Sequence, residues 1–208
     1  GRKQRKMEVD VLLTVATLIQ FINITWSSIS ARQEYELWTL PLFYDENHYF
    51  EIVEPEQISY FYRIRQARDF GSSLNRTLLN IELVPTEPRD GCGSLNNLNY
   101  VQNNIAFVER GGCSFLGKAI NAERAGAVAV IIYDNDSDND DKMVDMIQDE
   151  TTRKTDLPAY FLMGKDGHII VDTLQHQSLR SAVINIPINV TGIPVATLHG
   201  HRPPWTLW

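Results

Sequence analysis

The sequence predicts a single domain of mixed α/β class, and three observations support that prediction. A short apolar run at residues 105–108 is followed by a helical pattern and then by a continuous apolar run at 127–133. This is the spacing of a parallel strand–helix–strand unit. Segments rich in aromatic and β-branched residues, typical of strands, lie on both sides of the unit. The chain has 208 residues, of which 43% are hydrophobic, a composition typical of one globular domain.

Three strands are expected before the central unit. The segments 49–53 and 57–64 contain closely spaced Tyr, Phe and Ile residues and are separated by Pro55, which interrupts regular structure. A third apolar segment at 78–84 stops at Pro85. The amino-terminal part of the domain is therefore predicted to be mostly β-structure.

The central unit consists of a buried strand at 105–108, a helix and a second buried strand at 127–133. Ser114 is expected to cap the helix, because a serine hydroxyl can accept a hydrogen bond from a free backbone N–H of the first turn. Gly126 is expected to end it.

Another strand, a helix and a final strand complete the domain. The segment 157–162 is predicted to be a strand, 165–174 a helix, and 182–188 the last strand. Pro187 cannot donate a backbone hydrogen bond, so this strand should lie at an edge or end there.

The first 30 residues are interpreted as an N-terminal extension and a secretory signal peptide. Basic residues precede an apolar run from Val11 to Ile24, and small residues follow it up to a cleavage site near residue 30. The alternative is an uncleaved membrane anchor, but the run is shorter than the about 20 residues that a spanning helix needs. We therefore expect a chain that is secreted through the ER and Golgi, without stable membrane insertion after cleavage.

Charge and motif content exclude several functional classes. The formal net charge is −7, and the sequence has no basic stripe beyond its first six residues, which excludes nucleic acid as an expected partner. No nucleotide fingerprint and no His-Glu-x-x-His pattern occur. The sequence predicts no cofactor and no metal site.

Beyond the expected signal peptide, which itself contains a sequon at Asn23, three Asn-x-Ser/Thr sequons fit a secreted glycoprotein. They begin at Asn75, Asn135 and Asn189, and each is an acceptor for N-linked glycosylation.

The two cysteines, Cys92 and Cys113, are expected to form a disulfide during passage through the oxidising ER. The bond would tie the loop at 90–99 to the loop around Arg110. The alternative, a nucleophilic Cys113, would need a free thiol and a partner base.

An acidic run at 134–141, with Asp145 at position twelve, has carboxylates at the spacing of a calcium loop. Asn139 replaces the glycine expected at position six of such a loop, and a strand rather than a helix precedes it. A solvated acidic loop is the favoured interpretation.

An ordered set of motifs resembles the protease-associated (PA) domain. It comprises Asn104-Ile-Ala-Phe-Val-Glu-Arg-Gly-Gly-Cys-Ser-Phe115, then Lys118, the apolar run at 125–132, the segment 157–162 and Asp166-Gly167. The resemblance implies a β/β/α arrangement around a largely parallel sheet with flanking helices. It assigns 45–190 to the PA domain, 31–44 to a lead-in and 191–208 to a tail with Pro and Trp residues.

The resemblance also implies a non-catalytic protein that binds an unidentified peptide or protein, or alternatively one that covers a protease as an accessory or inhibitor. The candidate partner-binding loop consists of Arg110, Gly111, Gly112 and Ser114. Glycines after a strand let backbone N–H groups face outward at a helix start, where a carboxylate or carbonyl can be held. The simpler alternative is that the glycines only make the turn and Arg110 pairs with a nearby acid.

Trp205 and Trp208 in the tail also have two interpretations. Exposed aromatic residues favour interfaces, so they could anchor a partner. Because large apolar groups rarely stay exposed, folding back onto the domain is favoured.

Overall fold

Seven β-strands close into a barrel in the computed structural model, which describes residues 47–205. The strands of this part of the chain are β1 (Asn47–Glu54), β2 (Phe61–Gln66), β3 (Leu78–Pro85), β4 (Ile105–Glu109), β5 (Ala129–Tyr133), β6 (Ala159–Leu162) and β7 (Ala182–Ile186). Its helices are α1 (Leu98–Val101), α2 (Phe115–Arg124), α3 (Gly164–His176) and α4 (Val195–Gly200), with a 3-10 helix at Glu56–Ile58. Between residues 47 and 205, no helix has the length and apolar character needed to cross a membrane.

The sheet is mixed, which corrects the expected largely parallel arrangement. The strand order is β1-β2-β6-β5-β4-β3-β7, and β7 closes onto β1. Only the pairings of β3 with β4, β4 with β5 and β5 with β6 are parallel. The remaining pairings are antiparallel, because β1, β2 and β7 join the two edges of the parallel part. Closure pairs strand edges that would otherwise be exposed.

Two apolar clusters fill the domain, one inside the barrel and one beneath α2. Alternate residues of each strand point to opposite faces of a sheet. In β4, Phe107 therefore faces the barrel interior, whereas Ala106 and Val108 pack beneath Leu116 and Ala119 of α2. Burial on both faces explains the continuous apolar runs that mark β4 and β5 in the sequence.

One predicted strand is divided in the structure, and the last strand ends just before Pro187, the second of the two outcomes expected for it. The predicted strand at 57–64 is divided into the 3-10 helix and β2, because Ile58 turns its side chain into the core, where it is 2% exposed. The last strand ends at Ile186, immediately before Pro187. It is not an edge strand, since it pairs with both β1 and β3.

The carboxyl-terminal segment folds back onto the barrel. The backbone N–H of Phe61 donates to the carbonyl of His201 at 2.7 Å. Trp205 meets the ring of Tyr60 edge-on at 5.5 Å between centroids, and its Nε1 donates to Asp166 Oδ1 at 2.9 Å. The second tryptophan, Trp208, lies outside the described residues.

Trp205 is expected to stabilise the domain. Its replacement in Trp205→Ala should lower the free energy of unfolding by about 1–3 kcal/mol, because a partly buried aromatic contact and a hydrogen bond are both lost. Trp205→Phe should recover part of the loss, since it keeps a ring but not the N–H donor. Urea unfolding measures both effects, and an unchanged midpoint for Trp205→Ala would show that the tail contributes nothing to stability.

Candidate partner-binding site

The loop that follows β4 is shaped by two consecutive glycines. Gly111 and Gly112 have φ angles of +114° and +77°, a region that other residues rarely adopt. A β-carbon built on Gly112 would lie 2.9 Å from Cys92 Sγ and 3.0 Å from Asp90 Oδ2. Glycine is therefore required at position 112 both by backbone conformation and by space.

The predicted disulfide between Cys92 and Cys113 is present. Their Cα atoms lie 5.7 Å apart, and the bond ties the segment before α1 to the loop around Arg110. Because the Cys113 sulfur is in this bond, it offers no thiol, and the alternative of a Cys113 nucleophile is wrong for this structure.

Lys118 is a buried cation beneath the loop, and sequence analysis assigned it no role. Its residue is 1% exposed, and its Nζ donates to the carbonyl of Asp90 at 2.5 Å and to the carbonyl of Gly111. Burial lowers the pKa of Lys118, and the charges of Asp90 and Glu109 oppose that shift. The burial of Lys118 could have been predicted, because the lysine lies on the apolar face of α2 beside Ala119 and Ala122.

Arg110 pairs with Asp134, as the simpler alternative proposed. Its Nη1 donates to Asp134 Oδ1 at 2.9 Å, while the Arg110 side chain stays 39% exposed and that of Asp134 is 5% exposed. Asn139 donates to the other carboxylate oxygen at 2.7 Å. The guanidinium carbon also lies 5.8 Å from the ring centroid of Phe115. The Arg110 guanidinium is thus held in one orientation while part of it stays accessible to solvent.

Ser114 caps α2 as predicted, and its hydroxyl also binds a carboxylate of the chain itself. Its Oγ accepts from the Gly117 N–H at 3.0 Å and donates to Asp149 Oδ2 at 2.6 Å. Arg153 donates to the same Asp149 oxygen at 2.7 Å. These bonds, with those from Thr151, lower the pKa of the Asp149 carboxyl. The carboxylate position expected for a partner at the helix start is therefore occupied by Asp149.

An open cleft with a volume of about 520 Å³ lies beside Arg110. Its lining residues come from the Arg110 loop and from the segment that follows β5, and they are Arg110, Gly111, Asp134, Asn135, Asp136, Asp138, Asn139, Asp141, Lys142 and Val144. Beside the half-exposed guanidinium of Arg110, the lining contains Lys142 and an acidic wall made of Asp134, Asp136, Asp138 and Asp141.

The carboxylates of the acidic run bind different groups of the protein. The Asp134 carboxylate binds Arg110, and the Asp140 carboxylate accepts from Lys165 Nζ at 2.9 Å. Asp136 Oδ1 accepts from the backbone N–H of Asp138 at 3.1 Å. Among the residues that the structure describes, no three His, Cys, Asp or Glu side chains are grouped so that they could hold a metal ion.

The sequon asparagines Asn75, Asn135 and Asn189 are all exposed. Their positions therefore leave room for a glycan, and Asn135 alone of the three lines the cleft.

Comparison with known proteins identifies the family. The family model described as "PA domain" matches residues 79–170, a range that contains the Arg110 loop, α2 and the acidic wall. The PRADC1-like protein of Drosophila melanogaster is 40% identical over 162 residues, which are 77% of this chain and 82% of that protein. The chain belongs to the PA domain family.

Other matches cover only a small part of a longer chain. ER degradation-enhancing alpha-mannosidase-like protein 3 of Xenopus laevis is 33% identical over 112 residues, which are 51% of this chain but 12% of that protein. An aminopeptidase from Aneurinibacillus sp. strain AM-1 aligns with a TM-score of 0.46 at 22% identity, covering 72% of this chain and 31% of that chain.

The buried ammonium should be essential to the shape of the PA-domain loop. Lys118→Met should lower the free energy of unfolding by about 1–3 kcal/mol, because the carbonyls of Asp90 and Gly111 lose a buried donor. The matched control is Lys154→Met, at an exposed position, which should have little effect. Denaturant unfolding of both variants is the measurement, and equal stabilities would refute the role of Lys118.

The bonds to Asp149 should make part of the stability dependent on pH. Folding lowers the pKa of the Asp149 carboxyl below its ordinary value of 3.8. The ionised carboxylate therefore contributes fully to the free energy of unfolding above pH 3.8. That contribution is lost as the pH falls through the pKa of the folded state. Asp149→Asn should therefore lower the melting temperature at pH 7, with a deficit that shrinks below pH 3.8. Thermal melts at pH 7 and pH 3, with the exposed Asp156→Asn as control, test this. A deficit of equal size at both pH values would contradict it.

Proposed function

We propose that this protein is a secreted, non-catalytic glycoprotein whose single PA domain binds a peptide or protein partner in the cleft beside Arg110. The observation that carries the proposal is the half-exposed Arg110 guanidinium, fixed by buried Asp134 at the edge of an open cleft. A cation that is held in place but still exposed is preorganised for binding, since little side-chain freedom remains to be lost.

Hydrogen-bond capacity remains on Arg110. Within residues 47–205 its guanidinium donates only through Nη1, whereas a guanidinium carries five N–H donors. The remaining donors can bind a backbone carbonyl or a carboxylate of a partner segment. Opposite them, the exposed carboxylates of Asp136, Asp138 and Asp141 favour a basic side chain. The cleft therefore suits an extended peptide segment that contains Lys or Arg.

Bonds already made at the loop support a non-catalytic role. The Cys113 sulfur is in the disulfide, and the Ser114 hydroxyl is engaged by the helix cap and by Asp149. Neither side chain is poised as a nucleophile beside a base.

Secretion is supported by the disulfide and by the exposed sequons. Disulfides persist mainly in oxidising compartments and outside the cell, and the three sequon asparagines are accessible to the glycosylation machinery of the ER. The signal peptide predicted in the first 30 residues lies outside the described residues.

The test is affinity capture from extracellular fluid, read by mass spectrometry. Arg110→Gln should reduce recovery of the partner by about tenfold or more, because a charge-assisted hydrogen bond contributes about 1.5–3 kcal/mol. Glutamine is preferred to glutamate at this position, since Arg110→Glu would place a second carboxylate against buried Asp134. Captured proteases would favour the alternative role as a protease cover.

Two controls separate loss of binding from loss of folding. Arg124→Gln removes an exposed cation from the far end of α2 and should leave recovery unchanged. The double variant Arg110→Gln, Asp134→Asn removes both charges of this ion pair. It should retain the thermal stability of the native chain while still losing the partner. Recovery of the same proteins by all variants would exclude the Arg110 cleft as the binding site.

A further inference from the structure

Asn135 lies at the edge of the cleft, directly across from Gly111. A β-carbon built on Gly111 would lie 3.9 Å from Asn135 Nδ2, the atom to which an N-linked glycan is attached. Asn135 is exposed, and within the described part of the chain its side-chain amide takes part in no hydrogen bond. The attachment atom is therefore both available and next to the candidate binding loop.

The backbone on both sides of Asn135 is held in place. The N–H of Asp134 donates to the carbonyl of Leu162 at 3.0 Å, and the N–H of Asn139 donates to the carbonyl of Asp136 at 3.1 Å. A β-carbon on Gly164 would lie only 1.8 Å from the Asp136 carbonyl oxygen, so this loop packs directly onto the start of α3. The backbone position from which a sugar on Asn135 would extend is therefore fixed by the fold.

The cleft has the chemistry to accept a sugar. Its carboxylates and amides can accept from or donate to sugar hydroxyls, and the unused N–H groups of Arg110 can donate to an acetamido carbonyl. Its volume of about 520 Å³ lies in the range of small-molecule sites.

The other two sequons lie elsewhere on the barrel. Thr77 of the first sequon donates to the carbonyl of Pro187 at 3.3 Å, close in sequence to the third sequon. Asn189 Oδ1 accepts from the N–H of Thr191 at 2.9 Å. Neither asparagine lines the cleft, so each provides a matched control.

We propose that an N-linked glycan on Asn135 packs its first N-acetylglucosamine into the cleft, over Gly111, and thereby competes with the partner for the Arg110 site. In the attachment step, the Asn135 amide nitrogen bonds to the anomeric carbon of the sugar and gives up one proton to solvent. The bond from that carbon to a lipid-linked diphosphate donor breaks, and the lipid diphosphate leaves. The packing of the sugar is independent of the proposed function, whereas the competition rests on it.

The first experiment measures packing without any partner. The full chain is expressed in cells that perform N-glycosylation, and glycopeptide mass spectrometry determines occupancy at Asn135. Hydrogen–deuterium exchange of residues 110–113 is then compared with that of Ser137→Ala, which abolishes the sequon but keeps Asn135. We expect exchange at least threefold slower in the glycosylated chain and no change for Thr191→Ala, which removes the distant sequon. An unoccupied Asn135, or equal exchange rates in glycosylated and Ser137→Ala chains, would overturn the proposal.

A second experiment separates the glycan from the proposed function. Capture with Ser137→Ala should recover several times more partner than capture with the native chain or with Thr191→Ala. Slower exchange with unchanged capture would place the sugar in the cleft and the partner elsewhere, which would refute both the competition and the Arg110 site. If the exchange rates are equal but Arg110→Gln still fails to capture the partner, the glycan proposal is refuted. The proposed binding function is then retained.

Discussion

The candidate site depends on one buried positive charge. The ammonium of Lys118 joins the carbonyls of Asp90 and Gly111 at the base of α2, next to the Cys92–Cys113 disulfide. A buried charge is costly unless polar groups surround it, and here the two carbonyls compensate that cost. The bond to Gly111 also holds the backbone of the glycine turn that follows Arg110.

The location of the cleft follows from the parallel half of the barrel. Arg110, Asp134 and Gly164 come directly or almost directly after β4, β5 and β6, three adjacent parallel strands whose carboxyl ends meet at one edge. Loops at this edge form the binding crevices of parallel sheets. The antiparallel strands β1, β2 and β7 close the rest of the barrel.

Near this edge, several charged groups are already paired with other groups of the same domain. Asp134 neutralises Arg110 without covering it, and Asp149 occupies the start of α2, where a partner carboxylate would otherwise be favoured. A partner is therefore left with the outer donors of Arg110 and with the acidic wall opposite. In the proposed function this arrangement favours a basic peptide over an acidic one, and the proposed sugar on Asn135 would contact the same donors.

The sequence by itself determined the family, the βαβ unit, the Ser114 cap, the disulfide and the end of β7 before Pro187, because these features depend on local pattern or on two unique cysteines. Tertiary structure alone decided the closure of the barrel, since the pairing of β7 with β1 joins segments from opposite ends of the domain. Tertiary structure also decided which acidic side chain pairs with Arg110. Asp134 is one of several similar aspartates in an acidic run, and only the packing of β4 beside β5 places it under Arg110. Local periodicity shows which residues are buried, but long-range strand pairing decides which charged groups meet.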